Sequence, residues 1–287
     1  MLPHRRATAR YRESFLQRDR IAELEGLLAR AHPAALTVDF GGWQVRRSRG
    51  GLPHADSVWP RASLESRPLD ERIASVERFY AGAGLPPRFL IGPGAQPRGL
   101  ERALLARGYR RSSVHQVRTL SLEAFASRAE SGAGAATATV AADGPTGAWL
   151  DGWGAAAGVS ATARETTGRL LARVADPAAF AVASVAGQPV GYARGIAYGG
   201  WLGVDLLATT AARPDVGAAL AAALAVWAAD HDAEQVHLHV DSGDAAAALV
   251  ADLGGRVALS YRFFERDLAA VSRPPARRGS GPAPSPS

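Results

Sequence analysis

A single carboxylate interrupts an apolar run in the second half of the chain. Asp205 stands in the run Gly203–Thr209, GVDLLAT, whose other side chains are apolar or small. Two interpretations stay open. A desolvated carboxyl with a raised pKa could act as a general base, whereas a carboxylate beside an arginine would be a structural ion-pair partner. Glu165 in a predicted helix is a second candidate base, although a solvated helix face explains it better.

Two histidines and three tyrosines are the other side chains that could move protons or bind a metal. His237 and His239 alternate with a leucine in a predicted strand, so both point to the same side. Two imidazoles alone do not make a metal site and no third ligand is evident, so we predict no bound metal. Tyr261 in the closing aromatic strand could donate a proton, as could Tyr192 or Tyr198 in a hairpin. None stands out by its spacing, and Tyr261 is our candidate.

A loop between a strand and a helix has the features of an anion site. The predicted strand Trp201–Thr209 continues through the loop RPDVG at 213–217 into a predicted helix over Ala218–His231. Backbone N–H groups at a helix N-terminus are unpaired and the helix dipole is positive there, so the amides of Val216–Ala219 would face an anion. A plain surface helix starting at Pro214 is the alternative. The strand-loop-helix-strand context favours the anion site.

The elements that would position these residues alternate between strand and helix, which predicts an α/β (α+β) fold rather than a helical bundle. In the first part the predicted elements are a helix with Ile21, Leu24, Leu27 and Leu28 on one face, strands over Leu36–Arg47 and His54–Trp59, a helix capped by Asp70 that runs to about Ala81, a strand over Arg88–Ile91, a helix over Leu100–Arg107 and a strand over Tyr109–Leu120. In the second part they are a strand over Ala138–Ala142, helices over Gly147–Ala156 and Arg164–Val174, strands over Phe180–Val185, Val190–Ile196 and Trp201–Thr209, the helix Ala218–His231, a strand over Gln235–Val240, a helix over Asp244–Leu253 and a strand over Val257–Glu265.

Two stretches divide the chain. Residues 128–147 are rich in small side chains and predict a linker that runs into the first strand of the following unit. Residues 269–287 end in RPPARRGSGPAPSPS and predict a disordered tail. The two remaining units, about 1–127 and 135–268, each have an ordinary domain size.

The composition excludes several classes of protein. The 287 residues contain no cysteine, which rules out a disulfide scaffold and a thiol nucleophile. The net charge of +6 comes with 33 basic residues that are all arginine and lie scattered, so nucleic acid is not the expected partner. The chain starts without the apolar core of a signal peptide and no stretch is long enough to span a membrane. A soluble, cytoplasmic protein is the expectation.

The order of elements in the second unit resembles that of the GNAT acyltransferase superfamily. The resemblance is carried by GVDLLATTAARPDVGAALAAAL and DAAAALVADLGGRVALSYRFFER. The first unit, with GGWQVRRSRGG, ADSVWP, IASVERFYAGAGLPPRFLI and LERALLARGYRR, looks like a degenerate copy, and the pair is similar to tandem GNAT proteins of actinobacterial type. The resemblance implies a mixed, largely antiparallel GNAT-like sheet flanked by helices, in two tandem units.

The resemblance also implies a co-substrate. Acetyl-CoA would bind between the strands Trp201–Thr209 and Gln235–Val240, with its pyrophosphate over the start of the following helix. The residues that this assigns to acetyl-CoA are Leu207, Ala208, Thr209, Arg213, Val216, Gly217, Ala218 and Ala219. A backbone N–H at about Leu207–Thr209 would polarise the acyl carbonyl.

Some positions depart from the family pattern. Pro214 and Val216 stand where members usually carry basic residues. Each charge-assisted donor lost is worth about 1.5–3 kcal/mol, which predicts weaker binding of the co-substrate. Val250 stands where a tyrosine commonly protonates the departing thiolate, and Gly243 with Asp244 beside it replaces the usual asparagine.

The sequence therefore predicts an N-acyltransferase that moves an acetyl group from acetyl-CoA to a primary amine of a small molecule or peptide. Asp205 would be its base and Tyr261 its acid, and the protein would be a monomer or homodimer. The alternative is a GNAT-fold protein that binds an acyl-CoA or a partner without turnover. The first unit is expected to be structural and to shape the substrate site.

Overall fold

A computed structural model describes residues 19–62, 65–142, 144–210, 213–241 and 247–267. The strands are β1 (Leu36–Phe40), β2 (Trp43–Arg47), β3 (Val58–Pro60), β4 (Arg88–Ile91), β5 (Arg110–Arg111), β6 (His115–Ser121), β7 (Thr137–Ala141), β8 (Ala178–Val185), β9 (Gln188–Tyr198), β10 (Trp201–Thr209), β11 (Gln235–Asp241) and β12 (Arg256–Glu265). The helices are α1 (19–31), α2 (Leu69–Ala81), α3 (Leu100–Ala106), α4 (Leu122–Ser131), α5 (Gly147–Ala156), α6 (Ala161–Leu171), α7 (Pro214–Ala229) and α8 (Ala247–Ala251), with a single 3-10 turn at Pro53–Asp56 in the described residues.

One mixed sheet runs through the described part of the chain. Its spatial order is β1-β2-β3-β4-β12-β6-β11-β10-β9-β8-β7, and β5 pairs with β12 beside this path. Most neighbours are antiparallel, while β3 with β4 and β10 with β11 are parallel. The predicted fold class, a mixed α/β sheet flanked by helices, is confirmed.

The last strand ties the two halves of the chain together. β12 pairs with β4 from the first half and with β6, while β6 also pairs with β11. Successive strand residues face opposite sides, so Phe264 packs with the core under α2 and α3 while Phe263 packs under α1. Strands from both halves therefore alternate at the centre of the sheet.

Helices cover both faces of the second half of the sheet. Helix α7 packs on β7, β8 and β9 and is flanked by α4 and α8, while α5 packs on β9 and β10 and contacts α6. The starts of α4, α5 and α6 are capped because Ser121, Thr146 and Ser160 each accept the amide N–H three residues on. On β9, Gly191 and Gly195 lie directly under α7.

Two buried guanidinium groups cap the end of α1. Arg46 from β2 donates to the carbonyls of Ala29 and His32, and Arg194 from β9 donates to the carbonyl of Ala31 at 2.9 Å. Cations at a helix C-terminus satisfy its free carbonyls and oppose its negative dipole end. This helix is therefore held in place by one arginine from each half of the chain.

The parallel strands β10 and β11 diverge part-way along their length. Their pairing ends at Val204 and Leu238. Beyond that point β10 bulges: Asp205 and Ala208 keep ladder partners on β9, whereas Leu206 and Leu207 have none and Leu206 has a φ of +50°. A bulge of this kind bends the strand and turns its backbone groups away from the ladder.

The structure corrects several predicted boundaries. Helix α2 begins after Pro68, and Asp70 lies in its first turn rather than at the cap. The predicted strand over Leu36–Arg47 is a hairpin, because Gly41 and Gly42 both adopt the positive φ that a two-residue turn requires. The segment predicted as a linker begins inside α4 and contains β7, while the division into two units stays a prediction. The predicted tail over 269–287 lies outside the described residues.

Candidate functional site

A cavity of about 200 Å³ opens where β10 and β11 diverge. Leu206 and Leu207 from the bulge line one side, and His239 with Val240 from β11 lines another. Trp153 from α5 also contributes. Pockets for whole ligands usually measure about 300–1,000 Å³, so this one suits the reacting ends of two small groups rather than a whole nucleotide.

Four of the described histidines meet at this cavity. His32 follows α1, His54 lies in the 3-10 turn, His115 starts β6 and His239 lies on β11. The rings of His32 and His54 stack with centroids 4.4 Å apart, and those of His54 and His239 meet edge to face at 4.8 Å. Three of the four come from the first half of the chain, so both halves build the cavity.

Tyr261 joins two of these imidazoles from behind. Its hydroxyl lies 2.6 Å from Nε2 of His54 and also contacts Nε2 of His239. A hydroxyl carries one proton, so it donates to one ring while the other ring donates to it. The tyrosine is buried and does not itself line the cavity, which places it behind the imidazoles. This arrangement is a continuous hydrogen-bonded chain His239–Tyr261–His54.

Burial keeps the side chains of His239, Tyr261 and His54 uncharged. Burial and the neighbouring His32 lower the pKa of His54 and of His239 well below 6.5. Burial also raises the pKa of Tyr261 well above 10, with Asp241 adding to the shift. At His115 burial lowers the pKa, and Asp241, 3.7 Å from its Nε2, opposes that shift. The imidazoles are therefore unprotonated near neutral pH and offer lone pairs to the cavity, while their lowered pKa makes them weaker bases than an exposed histidine.

Asp205 is an ion-pair partner. Arg194 donates two hydrogen bonds to its carboxylate, at 2.8 and 2.5 Å, and Nε2 of His32 lies 3.2 Å away. Burial alone would raise the pKa of Asp205, but Arg194 and His32 outweigh it and hold that pKa well below its usual range. Nδ1 of His32 faces the carbonyl of Leu28 at 3.1 Å, so both ring nitrogens face acceptors. Of the two interpretations left open by the sequence, the ion pair is correct, and a carboxylate so strongly held is a poor base.

Solved structures resemble this chain, although no protein-family model and no curated protein matches its sequence. A GCN5-related N-acetyltransferase from Kribbella flavida is 17% identical and has a TM-score of 0.58, with 87% of this chain and 94% of that chain covered. A tandem GNAT protein from the clavulanic acid biosynthesis pathway is 13% identical, with a TM-score of 0.52 and coverage of 74% and 75%. A functionally unknown conserved protein from Staphylococcus epidermidis is 11% identical, with a TM-score of 0.58 and coverage of 82% and 94%. The chain has the GNAT fold. The predicted resemblance is confirmed at the level of the fold.

The GNAT fold places only part of the predicted carbonyl-binding segment at the cavity. Leu207 lies in the bulge and lines the cavity, together with Leu206, which the resemblance does not assign to acetyl-CoA. Ala208 is buried and Thr209 is half-buried, and both have returned to the ladder with β9. The hydroxyl of Thr209 donates to the carbonyl of Val190 at 2.8 Å.

The predicted phosphate-binding amides lie inside a helix. Helix α7 begins at Pro214, four residues before the predicted start, so Gly217, Ala218 and Ala219 follow its first turn. Their N–H groups belong to the intrahelical ladder rather than to the free helix end. The amide of Val216 bonds to the carbonyl of Arg213 at 3.1 Å. The expectation of four free amides at Val216–Ala219 is therefore wrong.

The predicted phosphate-binding cation is also engaged. Nε and a terminal nitrogen of Arg213 donate to both carboxylate oxygens of Asp215, at 2.9 and 2.7 Å. That pairing lowers the pKa of Asp215 and leaves the pair without net charge. Among the described residues, those that line the cavity fit a short acyl group, whereas those at the start of α7 do not fit a diphosphate.

The remaining candidates lie elsewhere. Glu165 is exposed on α6 and pairs with Arg169 at 2.7 Å, as a solvated helix face predicts. Tyr192 is buried, with Gly152 against its hydroxyl, and Tyr198 is exposed. Val250, at the position of the usual tyrosine, is buried in the core beside α7, while Gly243 and Asp244 lie outside the described residues.

His237 and His239 share one face of β11, as predicted, but only His239 reaches the cavity. Burial lowers the pKa of His237 to about 4, and its Nδ1 is buried without a hydrogen-bond partner. Among the described residues, no three His, Asp or Glu side chains are arranged to hold a metal ion. None of the helices described has the length and apolar content needed to cross a bilayer.

Sequence reasoning missed His32, His54 and His115. Each stands alone in its own segment, the first before a proline, the second in GLPHAD and the third at the start of a strand. No spacing rule links them, because the segments meet only when β6 enters the sheet beside β11 and the 3-10 turn packs against it. Their rarity was the one available signal, since the whole chain has seven histidines.

Proposed function

We propose that this protein is an N-acyltransferase that moves a short acyl group from a thioester to a primary amine. The observation that carries the proposal is the uncharged chain His239–Tyr261–His54 beside the bulge of β10. Acyl transfer to an amine needs a base for the amine and a hydrogen-bond donor for the acyl oxygen. Both kinds of group border the same cavity.

The backbone of the bulge is the proposed donor to the acyl oxygen. Leu206 and Leu207 have no ladder partner on β9, and we assign the contact with the acyl oxygen to an amide of this bulge. Acetyl-CoA, the co-substrate that the fold suggests, would supply the thioester carbonyl. The chain's part is to orient that carbonyl and exclude water, which the apolar lining from Trp153 and Val240 does.

His239 is the proposed base. In the tautomer in which Nε2 of His239 donates to Tyr261 and Tyr261 donates to His54, Nδ1 of His239 carries a free lone pair. It accepts a proton from the amine, while the hydrogen bond from Nε2 to Tyr261 fixes this tautomer and the orientation of the ring. The acyl C–S bond breaks, the C–N bond forms, and the proton lost by the amine ends on the thiol. Tyr261 acts through the imidazoles and is a positioning residue.

The test is thiol release from S-acetyl thioesters over a panel of primary amines, with the full chain. We expect His239→Ala to lower kcat by about 100-fold, the typical contribution of a general base. Tyr261→Phe should lower kcat by about 10-fold and shift the acid limb of the pH profile while KM stays unchanged. His231→Ala, at the far end of α7, is the matched control. Equal activity of His239→Ala and the control would contradict the assignment.

A second candidate function is supported by one observation. The engaged Arg213 and the early start of α7 leave the diphosphate of an acyl-CoA without its usual partners. A protein that binds an acyl group without turnover would show calorimetric binding of the thioester and no thiol release with any amine. Release above the rate of the control reaction without protein would reject this alternative.

A further inference from the structure

We propose that this chain recognises its acyl donor by the acyl-pantetheine end alone and holds no diphosphate at the start of α7. The inference rests on the proposed acyl transfer and concerns the donor of that same site. It predicts an uncharged pantetheine-type thioester as a sufficient substrate. The adenosine phosphates of acetyl-CoA would add little to binding.

The start of α7 offers few amides to a phosphate. The first four positions of a helix are those whose N–H groups could face a ligand, here Arg213, Pro214, Asp215 and Val216. Pro214 has no N–H, and Val216 already donates to the carbonyl of Arg213. Of these four positions only Arg213 and Asp215 keep an N–H for a ligand, and Asp215 carries a carboxylate that repels a phosphate.

The position of the Asp215 carboxylate opposes a phosphate as well. Asp215 occupies the first turn, where a bound phosphate would otherwise meet the positive end of the helix dipole. Its carboxylate accepts two hydrogen bonds from the guanidinium of Arg213. A side chain on Gly134 would come within 2.7 Å of Cβ of Asp215, so the backbone before β7 packs closely on it. These contacts hold the carboxylate of Asp215 in a fixed position at the start of α7.

The end of the site beside the cavity, where β10 and β11 separate, has the features that suit an acyl-pantetheine arm. β10 and β11 separate after Val204 and Leu238, and the bulge at Leu206 and Leu207 leaves their backbone groups without ladder partners. A pantetheine arm carries two amide groups and no charge, so it can pair with exposed strand backbone as an added strand does. The cavity beyond takes the acyl group. The bulge and the separated strands therefore favour the uncharged pantetheine arm of the acyl donor.

The test compares three probes by calorimetry with the full chain: acetyl-CoA, S-acetylpantetheine and adenosine 3′,5′-bisphosphate. We expect the two thioesters to bind within about 3-fold of each other and the nucleotide to show no binding, because two charge-assisted hydrogen bonds to a diphosphate would be worth about 100-fold. Asp215→Asn removes the carboxylate and frees Arg213, so it should strengthen acetyl-CoA binding about 3- to 10-fold and leave S-acetylpantetheine unchanged. Asp230→Asn, at the exposed end of the same helix, is the control.

Binding of acetyl-CoA about 100-fold tighter than S-acetylpantetheine would overturn the inference and leave the proposed function standing. The same holds if the nucleotide alone competes with acetyl-CoA. Failure of both thioesters to bind would overturn the proposed function and the inference with it. An Asp215→Asn variant that strengthens binding of both thioesters equally would also contradict the inference, since the effect would not then concern the phosphates.

Discussion

The protonation state of each buried ionisable side chain near the cavity depends on the groups that lie against it. Asp205 is ionised because a guanidinium and an imidazole lie against it, whereas His239 and His54 stay neutral because burial opposes their charged forms. The same apolar surroundings would raise the pKa of a lone Asp205. Arg194 on the neighbouring strand supplies the counter-charge, so the two side chains form an ion pair.

The ion pair predicts a large effect on stability. Asp205→Asn leaves the buried guanidinium of Arg194 without its counter-charge, and removal of one partner from a buried pair typically costs about 3–5 kcal/mol in the free energy of unfolding. Asp151→Asn, which breaks the exposed pair with Arg164, should cost less than about 1 kcal/mol. Urea denaturation of both variants measures the difference. Equal costs would mean that the buried pair does not stabilise the fold.

Stability should also fall in acid because of His237. Its pKa is lowered to about 4 in the folded protein. The unfolded chain, with a histidine pKa of about 6.5, therefore takes up the proton first as the pH falls. The contribution is fully present above pH 6.5 and lost by about pH 4, and 2.5 pKa units correspond to about 3 kcal/mol.

The measurement is the free energy of unfolding at pH 7, 5.5 and 4.5 for the parent and for His237→Gln. His54 and His239 shift in the same direction, so the parent and the variant should both lose stability, the variant with a shallower slope. Parallel slopes for parent and variant would contradict the prediction, because they would mean that the pKa of His237 in the folded protein is not lowered.

At the scale of elements, the contact between β9 and α7 determines how closely the long helix approaches the sheet. A Cβ at Gly191 would come within 2.4 Å of a methyl group of Val216, and one at Gly195 within 2.8 Å of Leu224. Because α7 carries the small side chains Ala218 and Ala221 on its buried face, the helix can approach the strand closely.

Gly191→Ala should therefore lower the free energy of unfolding by about 1–3 kcal/mol, the usual cost of overpacking. Gly147→Ala is the matched control, since an added Cβ there meets nothing within 4 Å. It lies in the first turn of α5, where alanine is the better helix former, and should be neutral or slightly stabilising. Thermal unfolding of the two variants distinguishes these outcomes, and a neutral Gly191→Ala would mean that α7 moves away freely.

At the scale of the molecule, the spatial order of the strands switches three times between the first and the second part of the chain, at β4-β12, β12-β6 and β6-β11. β6 lies between β11 and β12, and β12 in turn joins β4. A fragment that starts at Ala135 loses β6 and α1 and leaves two long strand edges and the floor of the cavity uncovered. Uncovered strand edges favour aggregation.

We expect the fragment from Ala135 to be poorly soluble and the full chain to bind one acyl donor. Sedimentation of the expressed fragment checks the first point. A fragment that starts at His115 and so keeps β6 is the comparison, and it should be the more soluble of the two. Calorimetric stoichiometry of the full chain checks the second, and two donors per chain would require a working site in the first half.

The sequence by itself determined the fold class, the order of most elements and the GNAT resemblance, because hydrophobic periodicity and turn residues act locally. The bounds of α5 and β10 agree with prediction for this reason. It also limited Asp205 to two roles. Only the tertiary structure decided between them, since Arg194 and His32 reach that carboxylate from other segments. The cavity was likewise beyond sequence reasoning: its histidines come from four segments that meet through the pairing of β6 with β11 and β12, and such long-range pairing leaves no local signal.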